Sequence, residues 1–328
     1  MKAVALVSGG LDSLLAVRLV QAQGIEVVPL HMLTPFAGRS DPSFFEELEQ
    51  RYGIKGCRLV DVREAFLPLL RNPPHGFGKH LNPCIDCKIL FLQKAREIMD
   101  EEGASFIVTG EVVGQRPMSQ RKEVLSVIEK AAGVEGLLLR PLSARLLPPS
   151  LPEKRGWVDR DRLEAIGGRG RKRQLELAQS FGWRHLPSPA GGCLLTDPAF
   201  SKRLRDLLDH LPNGTLPSLR DLELLKVGRH FRLLPDLKLI VGRCKGENER
   251  IQSLATPEDV LLVPVGFPGP YGLLVGRTNE EGLSLALSIM ARYCKGEGPF
   301  IFCYKGKKSG RRKVNPLSPE EIEKWLII

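Results

Sequence analysis

Short apolar runs alternate with longer stretches of helical periodicity across the first two hundred positions. The runs at 3–7, 25–32, 58–62, 106–109 and 137–142 are brief and rich in Val, Ile and Leu, as buried strands are. Between them, apolar residues recur at three- and four-residue spacing over 12–23, 43–52, 86–102 and 119–132, which predicts helices. This alternation predicts an α/β fold, a parallel sheet covered by helices. Ligands of such sheets sit beyond the carboxyl ends of the strands. Ser8, His31, Gly110 and Glu111 fall there.

A further helical pattern spans 198–211, and Pro212 to Pro217 reads as a linker. Beyond it, runs at 237–241, 260–264, 271–275 and 300–304 alternate with helices starting near Glu247 and Asn279. The expected organisation is an α/β domain over 1–211 and a smaller α+β domain over 218–328. Residues 145–160, rich in Pro, Arg and Lys, read as a loop or insertion reaching over the site.

Composition narrows the class. With 328 residues and 42% hydrophobic content, the chain can build two cores, which excludes a disordered polypeptide. A formal charge of +10 points to an acidic partner. The apolar stretch in MKAVALVSGG is too short for a secretory signal, and no apolar run approaches membrane-spanning length. The expectation is a cytoplasmic protein with no membrane partner. Seven cysteines in a large chain suggest thiol or metal chemistry rather than a disulfide framework.

The first site motif is Ser8-Gly9-Gly10-Leu11-Asp12-Ser13, between the first strand and the first helix. Paired glycines let the backbone curl around an anion at the positive end of a helix dipole. Ser8, Asp12 and Ser13 add oxygens for capping, phosphate contact or a magnesium ion. An ordinary strand-to-helix turn uses the same residue types. No Walker sequence occurs anywhere in the chain.

The second motif is Asn82-Pro83-Cys84-Ile85-Asp86-Cys87-Lys88, where a loop enters a helix. Cys193 follows in a Pro- and Gly-rich loop that begins at Pro187. Cys57, Cys244, Cys294 and Cys303 lie in or beside apolar runs and read as small buried residues. Three loop cysteines allow three chemistries. They can ligate an iron-sulfur cluster with one iron open, act as nucleophile and persulfide carrier, or close a zinc site with His75 or His80.

Basic side chains supply the third set of candidates. Arg116, Arg121 and Lys122 follow the predicted site loop, and Arg116 is favoured for neutralising phosphate. Glu111 is a candidate for orienting magnesium or for capping a helix. His31 either faces a nucleotide or sits in the core, and Asp12 either holds magnesium or caps. Trp157 and Trp183 can stack on a base but more often pack. Two basic segments, 169–173 and 305–313, are candidate phosphate contacts that position a nucleic acid without reading its bases.

The hexapeptide resembles the SGGxDS signature of the PP-loop ATP pyrophosphatases, which bind ATP and cut it between the α and β phosphates. NPCIDCK, the stretch from Ser105 to Gln120 and GGC ending at Cys193 are similar, in order, to the tRNA-thiolating PP-loop enzymes, the 2-thiouridylases and 4-thiouridine synthetases. That resemblance covers about the first 210 residues. It implies a reaction in which ATP adenylates a uridine carbonyl oxygen, pyrophosphate leaves, and sulfur then displaces AMP. On this resemblance Cys87 matches the helix-entry cysteine and Cys193 the second cysteine. With Cys84 they form a three-cysteine set like that of the cluster-dependent tRNA thiolases, which implies a four-iron four-sulfur cluster, with zinc or no metal as alternatives. Catalytic candidates are Cys87, Cys193 and Asp12. ATP and magnesium are expected at Ser8, Gly9, Gly10, Asp12, Ser13, His31, Gly110, Glu111 and Arg116.

The later residues Lys238 to Arg243 and Glu247 to Glu249 are similar to the NFACT-type RNA-binding domain, which implies tRNA docking. No THUMP pattern precedes SGGLDS and no rhodanese pattern follows GGC. The expectation is docking through another surface, with sulfur from free sulfide or a cysteine desulfurase-derived carrier. Competing readings are a PP-loop synthetase or amidotransferase acting on a small molecule, and a noncatalytic RNA-binding protein with a nucleotide switch.

Overall fold

The computed structural model describes residues 1–187, 193–295, 300–305 and 310–327. The Gly-rich approach to Cys193 at 188–192 and the centre of the second basic segment at 306–309 lie outside the described residues. The chain divides into two compact units, Met1–Thr196 and Asp197–Ile328.

The first unit runs β1 (Lys2–Leu6), α1 (Leu11–Gln21), β2 (Glu26–Leu33), α2 (Pro42–Tyr52), β3 (Arg58–Asp61), α3 (Arg63–Phe66), α4 (Cys84–Glu101), β4 (Phe106–Val108), α5 (Lys122–Ala131), β5 (Leu138–Leu139), α6 (Leu151–Lys154) and α7 (Lys172–Ser180). Its strands form a parallel sheet in the order β3-β2-β1-β4-β5. Alternate residues of a strand face opposite sides. Ala3 and Ala5 of β1 therefore join the core formed with α1, α2 and Trp183, while Val4 joins the core formed with α4 and Ile128 of α5. Burial on both faces explains why the central strands read as unbroken apolar runs.

Two expectations change here. The run at 137–142 is a strand only over Leu138–Leu139. Pro141 has no N–H to give the ladder, and the chain then winds into a tight turn at Ala144–Leu146. Residues 145–160 do not reach over the site. Val158 and Leu163 enter the core beside α1, Trp157 lies 6.3 Å from the Phe106 ring, and Gln23 exchanges two hydrogen bonds with the Asp159 backbone (2.8 and 3.2 Å). The segment seals the α1 side of the sheet.

The second unit runs α8 (Pro198–His210), α9 (Leu219–Leu224), β6 (Arg229–Leu234), β7 (Leu237–Val241), α10 (Lys245–Leu254), β8 (Val260–Pro264), β9 (Gly272–Gly276), α11 (Glu280–Arg292), β10 (Phe300–Lys305), β11 (Gly310–Val314) and α12 (Pro319–Ile322). An antiparallel sheet in the order β11-β10-β8-β9-β7-β6 carries it. Leu283, Leu287 and Met290 of α11 pack with Phe231, Leu239 and Leu274, and Ile251 of α10 and Leu224 of α9 pack with Ile240 and Leu273.

Helix α8, expected to end the first domain, belongs to the second. Its Asp206 accepts hydrogen bonds from Arg232 of β6 (2.8 and 3.0 Å) and from Lys238 of β7 (2.9 Å). Burial lowers Lys238 to about 8, with Asp206 opposing that shift. Strand β11 was not expected either. It makes Arg311, Arg312 and Lys313 of the basic segment part of a strand paired with β10, not a loop. Among the described residues no helix is long and apolar enough to cross a membrane.

A candidate active site at the ends of β1 and β4

The sheet order reverses direction between β1 and β4, and a crevice opens beyond the carboxyl ends of such strands. β1 leads into Gly9, at φ +80°, and Gly10 then starts α1 without a side-chain cap. The two serines knit this loop together. Ser13 Oγ donates to the Gly10 carbonyl (2.8 Å) and accepts the Ser8 N–H (3.2 Å). Gly110, just past β4, is seated on the first turn of α1. A Cβ there would lie 2.5 Å from Asp12 C and from Ser13 N and Cα, so only glycine fits. A Cβ at Gly9 would stand 2.7 Å from the Phe44 ring.

Asp12 is buried, with one carboxylate oxygen taking the Gln115 side-chain N–H at 3.1 Å. The other, Oδ1, is buried without a partner. An orphaned carboxylate oxygen beside an uncapped helix start and a glycine-lined cradle fits a magnesium-bound polyphosphate.

His31 is a core residue. Its Nδ1–H donates to the Val7 carbonyl (2.8 Å), its Nε2 accepts the Arg39 N–H (3.0 Å), and its ring lies 4.5 Å from that of Phe44. Burial lowers its pKa, which favours this neutral, doubly bonded ring. With both nitrogens occupied, His31 ties the end of β1 to the loop after β2.

The cysteines form the second half of the site. Cys84 opens α4 and Cys87 lies one turn on. Burial pushes the Cys87 thiol far up, and Cys193 and Cys84 push in the same direction, while Lys88 and Arg116 pull it down. Burial also raises Cys193, with Cys84 adding to it and the Leu195 N–H and Arg116 opposing. Three sulfurs from two distant segments thus feel one another. The Leu194 N–H bonded to the Phe36 carbonyl (3.3 Å) anchors the Cys193 segment to the loop after β2. As positioned, no three His, Cys, Asp or Glu side chains among the described residues stand in a metal-holding arrangement. The donor set itself, three thiols, is chemically suited to a soft metal centre.

His75 is engaged elsewhere than with sulfur. Its Nδ1 (2.7 Å) and backbone N–H (3.1 Å) both bond to the buried Asp86 carboxylate, folding the preceding loop onto α4. The other cysteines divide. Burial pushes Cys57 up to about 12 and Cys294 up to about 11. Cys244, expected to be buried, is exposed because it is the residue that starts α10. The Cys303 side chain lies outside the description.

Glu111 caps no helix and lies in a buried ion network. One oxygen pairs with Lys88 and the other accepts from Arg140 Nε (2.9 Å) and Thr109 Oγ1 (3.3 Å). Burial works to raise its pKa, but Lys88 and Arg140 overcome that and hold it at about 2. Arg140 also pairs with Glu129. Sequence reasoning missed this network. Its signals were a lysine directly after C-x-x-C and a single arginine closing the apolar run before Pro141.

Segment 111–120 joins the two halves. Gln115 reaches Asp12, Arg116 acts on Cys87 and Cys193, the Ser119 carbonyl accepts from Lys88 Nζ (3.4 Å), and Met118 lies against Asn82. Arg121 stands at the start of α5 without a capping side-chain bond, and both it and Lys122 are exposed. In the first basic segment Arg169, Lys172 and Arg173 are all exposed, and Arg173 is paired with Glu164 (2.7 and 2.9 Å). Trp157 and Trp183 are packing residues; Trp183 lies 5.1 Å from Tyr52.

A parallel sheet with this order, a glycine cradle after its central strand and paired cysteines entering α4 define the first unit as an α/β domain. Residues 1–145 match the family described as thiamine biosynthesis protein (ThiI), and residues 228–326 match the NFACT protein RNA binding domain. A probable tRNA sulfurtransferase of Thermococcus kodakarensis is 32% identical over 149 residues, covering 43% of this chain and 36% of that protein. The chain thus spans about a third of the length of the curated relatives it matches. Among solved structures, a 4-thiouridine synthetase in an RNA complex with bound ATP is 19% identical, with a TM-score of 0.34 over 55% of this chain and 51% of that one. The U34-tRNA thiolase NcsA from Methanococcus maripaludis, with its 4Fe-4S cluster, is 17% identical, with a TM-score of 0.33 over 64% and 66%.

Proposed function

We propose that the protein is an ATP-dependent tRNA sulfurtransferase of the cytoplasm that converts a uridine carbonyl to a thiocarbonyl. The carrying observation is segment 111–120, which contacts both the Asp12 cradle and the lysine beside the cysteine pair. The carbonyl oxygen is activated and the carbon that bears it is attacked by sulfur, so an enzyme of this class needs its nucleotide and sulfur sites joined.

In the proposed reaction the uracil oxygen attacks the α-phosphorus of ATP and pyrophosphate departs. Ser8, Gly9, Gly10 and Ser13 cradle the phosphates, and Asp12 Oδ1 is the carboxylate oxygen for magnesium. Gly110 keeps β4 close enough to α1 to shape the cradle. A sulfur nucleophile then adds to the activated carbon, and AMP leaves with the original oxygen. Cys84, Cys87 and Cys193 would hold the four-iron four-sulfur cluster. Such a group supplies an open metal position for an extra sulfide, delivered as free sulfide or by a cysteine desulfurase-derived carrier. Buried thiols with raised pKa values are poor nucleophiles alone, which favours a metal-held sulfur over a free thiolate. The basic surface and the domain at 228–326 serve tRNA binding.

Mass spectrometry of tRNA nucleosides from cells with and without the protein tests this reading. Loss of one thiouridine peak is the expected result; an unchanged thionucleoside profile refutes it. The visible spectrum of protein purified without oxygen separates iron-sulfur (brown, iron-containing) from zinc (colourless).

A further inference from the structure

We infer that Asn82 is a positioning residue of the thiol pocket, its side-chain amide aiming and polarising the Cys84 sulfur. The inference rests on the proposed role of Cys84, Cys87 and Cys193 as donors to one soft metal centre. Asn82 is buried, and its Nδ2–H donates to Cys84 Sγ at 3.2 Å, with Met118 Sδ at 3.7 Å from the same nitrogen. The amide cannot be turned round without loss, because its Oδ1 accepts the His80 N–H at 3.2 Å. The turn closes through a Gly78 N–H bond to the Asn82 carbonyl at 3.0 Å. It is built tightly around the amide: a Cβ on Gly78 would lie 2.4 Å from Nδ2, 2.9 Å from Oδ1 and 2.8 Å from Met118 Sδ.

Each sulfur consequently has its own positive partner. Cys193 has the Leu195 N–H, Cys87 has the charges of Lys88 and Arg116, and Cys84 has the Asn82 amide. An N–H directed at a sulfur stabilises electron density there and fixes the side chain's direction. Partners that orient metal ligands in this way typically change affinity by about 10–100-fold when removed.

The test is an anaerobic titration of the reduced full-length chain with cadmium(II), a thiolate-seeking probe, read by its ultraviolet sulfur-to-metal charge-transfer band. Asn82→Leu is expected to bind cadmium about 10-fold or more weakly, with the band moved to lower energy because the sulfur lone pair has lost its donor. Gly78→Ala leaves Asn82 in the chain but displaces its amide, and is expected to move both readouts the same way. Cys84→Ser sets the limit for loss of the sulfur. Affinity within about threefold of the parent and an unmoved band in both Asn82→Leu and Gly78→Ala, beside a weakened Cys84→Ser, would overturn the assignment of Asn82 alone. A Cys84→Ser titration matching the parent would overturn the thiol-pocket reading on which it rests.

Discussion

Replacing Glu111 by Gln removes one negative charge from between Lys88 and Arg140 without changing the side chain's shape. Glu111 is held at about 2 against an ordinary 4.5. At about 1.4 kcal/mol per pKa unit, that difference amounts to about 3 kcal/mol of stability at neutral pH. Breaking a buried ion pair from one side costs a similar amount, about 3–5 kcal/mol. The sign follows from the direction of the shift. A carboxyl depressed by folding contributes fully above its unfolded value near 4.5 and loses its contribution as pH falls toward about 2. Glu111→Gln should therefore be about 3 kcal/mol less stable at pH 7, and the gap to the parent should narrow from pH 4.5 downward. Urea unfolding in a Trp325→Phe background reports the right unit, because Trp157 and Trp183 both lie with Glu111 in Met1–Thr196. A gap below about 1 kcal/mol at pH 7, or one that stays constant into acid, would show that the two cations do not depend on Glu111.

Gly110→Ala places a methyl against the α1 backbone, 2.5 Å from three atoms that cannot move independently. Expected losses are about 1–3 kcal/mol in urea unfolding and about tenfold or more in ATP affinity by calorimetry; unchanged values for both would refute the close seating. Among the basic residues, Arg169→Ala should lower the slope of log affinity for tRNA against log salt by about one. Arg173→Ala should leave that slope unchanged, since Glu164 already neutralises Arg173. Equal slopes for the two variants would contradict this division.

The sheet was legible because both its faces are buried: β1, β2 and β4 carry near-continuous apolar runs that tolerate few readings. The cradle was legible because Gly9 and Gly10 stand at a strand-to-helix boundary where only backbone can approach an anion. The three cysteines were singled out by their places in the sequence, at a helix entry and after a Gly-rich stretch, and their joint role is the proposal made above. Strand β6 was not legible, because His230 and Arg232 interrupt its pattern; Arg232 pairs with Asp206 of α8, and the buried His230 donates from Nε2 to the Val227 carbonyl (2.9 Å). Alternation of apolar and polar residues signals a strand only when the polar face meets water. Here that face meets an ion cluster. The same cause moved α8 across the expected domain boundary, since one carboxylate, invisible as a contact in sequence, binds it to β6 and β7.

His31 and Glu111 mark the limit of reading a site from strand ends. Both stand where a ligand-contacting residue is expected; His31 bonds the end of β1 to the loop after β2, and Glu111 pairs with Lys88 of α4 and with Arg140 after β5. Segment 111–120 shows what that holding achieves. Internal bonds from Gly114 N–H to Gln120 O (2.7 Å) and from Gln120 N–H to Arg116 O (3.0 Å) close it on itself, and Gly168 N–H to Val113 O (2.7 Å) fixes its base. Glu111 at its start and the Ser119 carbonyl near its end both grip Lys88, the residue after Cys87. Gln115 at its middle grips Asp12. The spacing between cradle and thiols is therefore set by a closed set of hydrogen bonds and one buried ion network. For the proposed reaction, fixing that spacing in advance lets displacement at the α-phosphorus be followed by displacement at the uracil carbon without reorganising the protein between them.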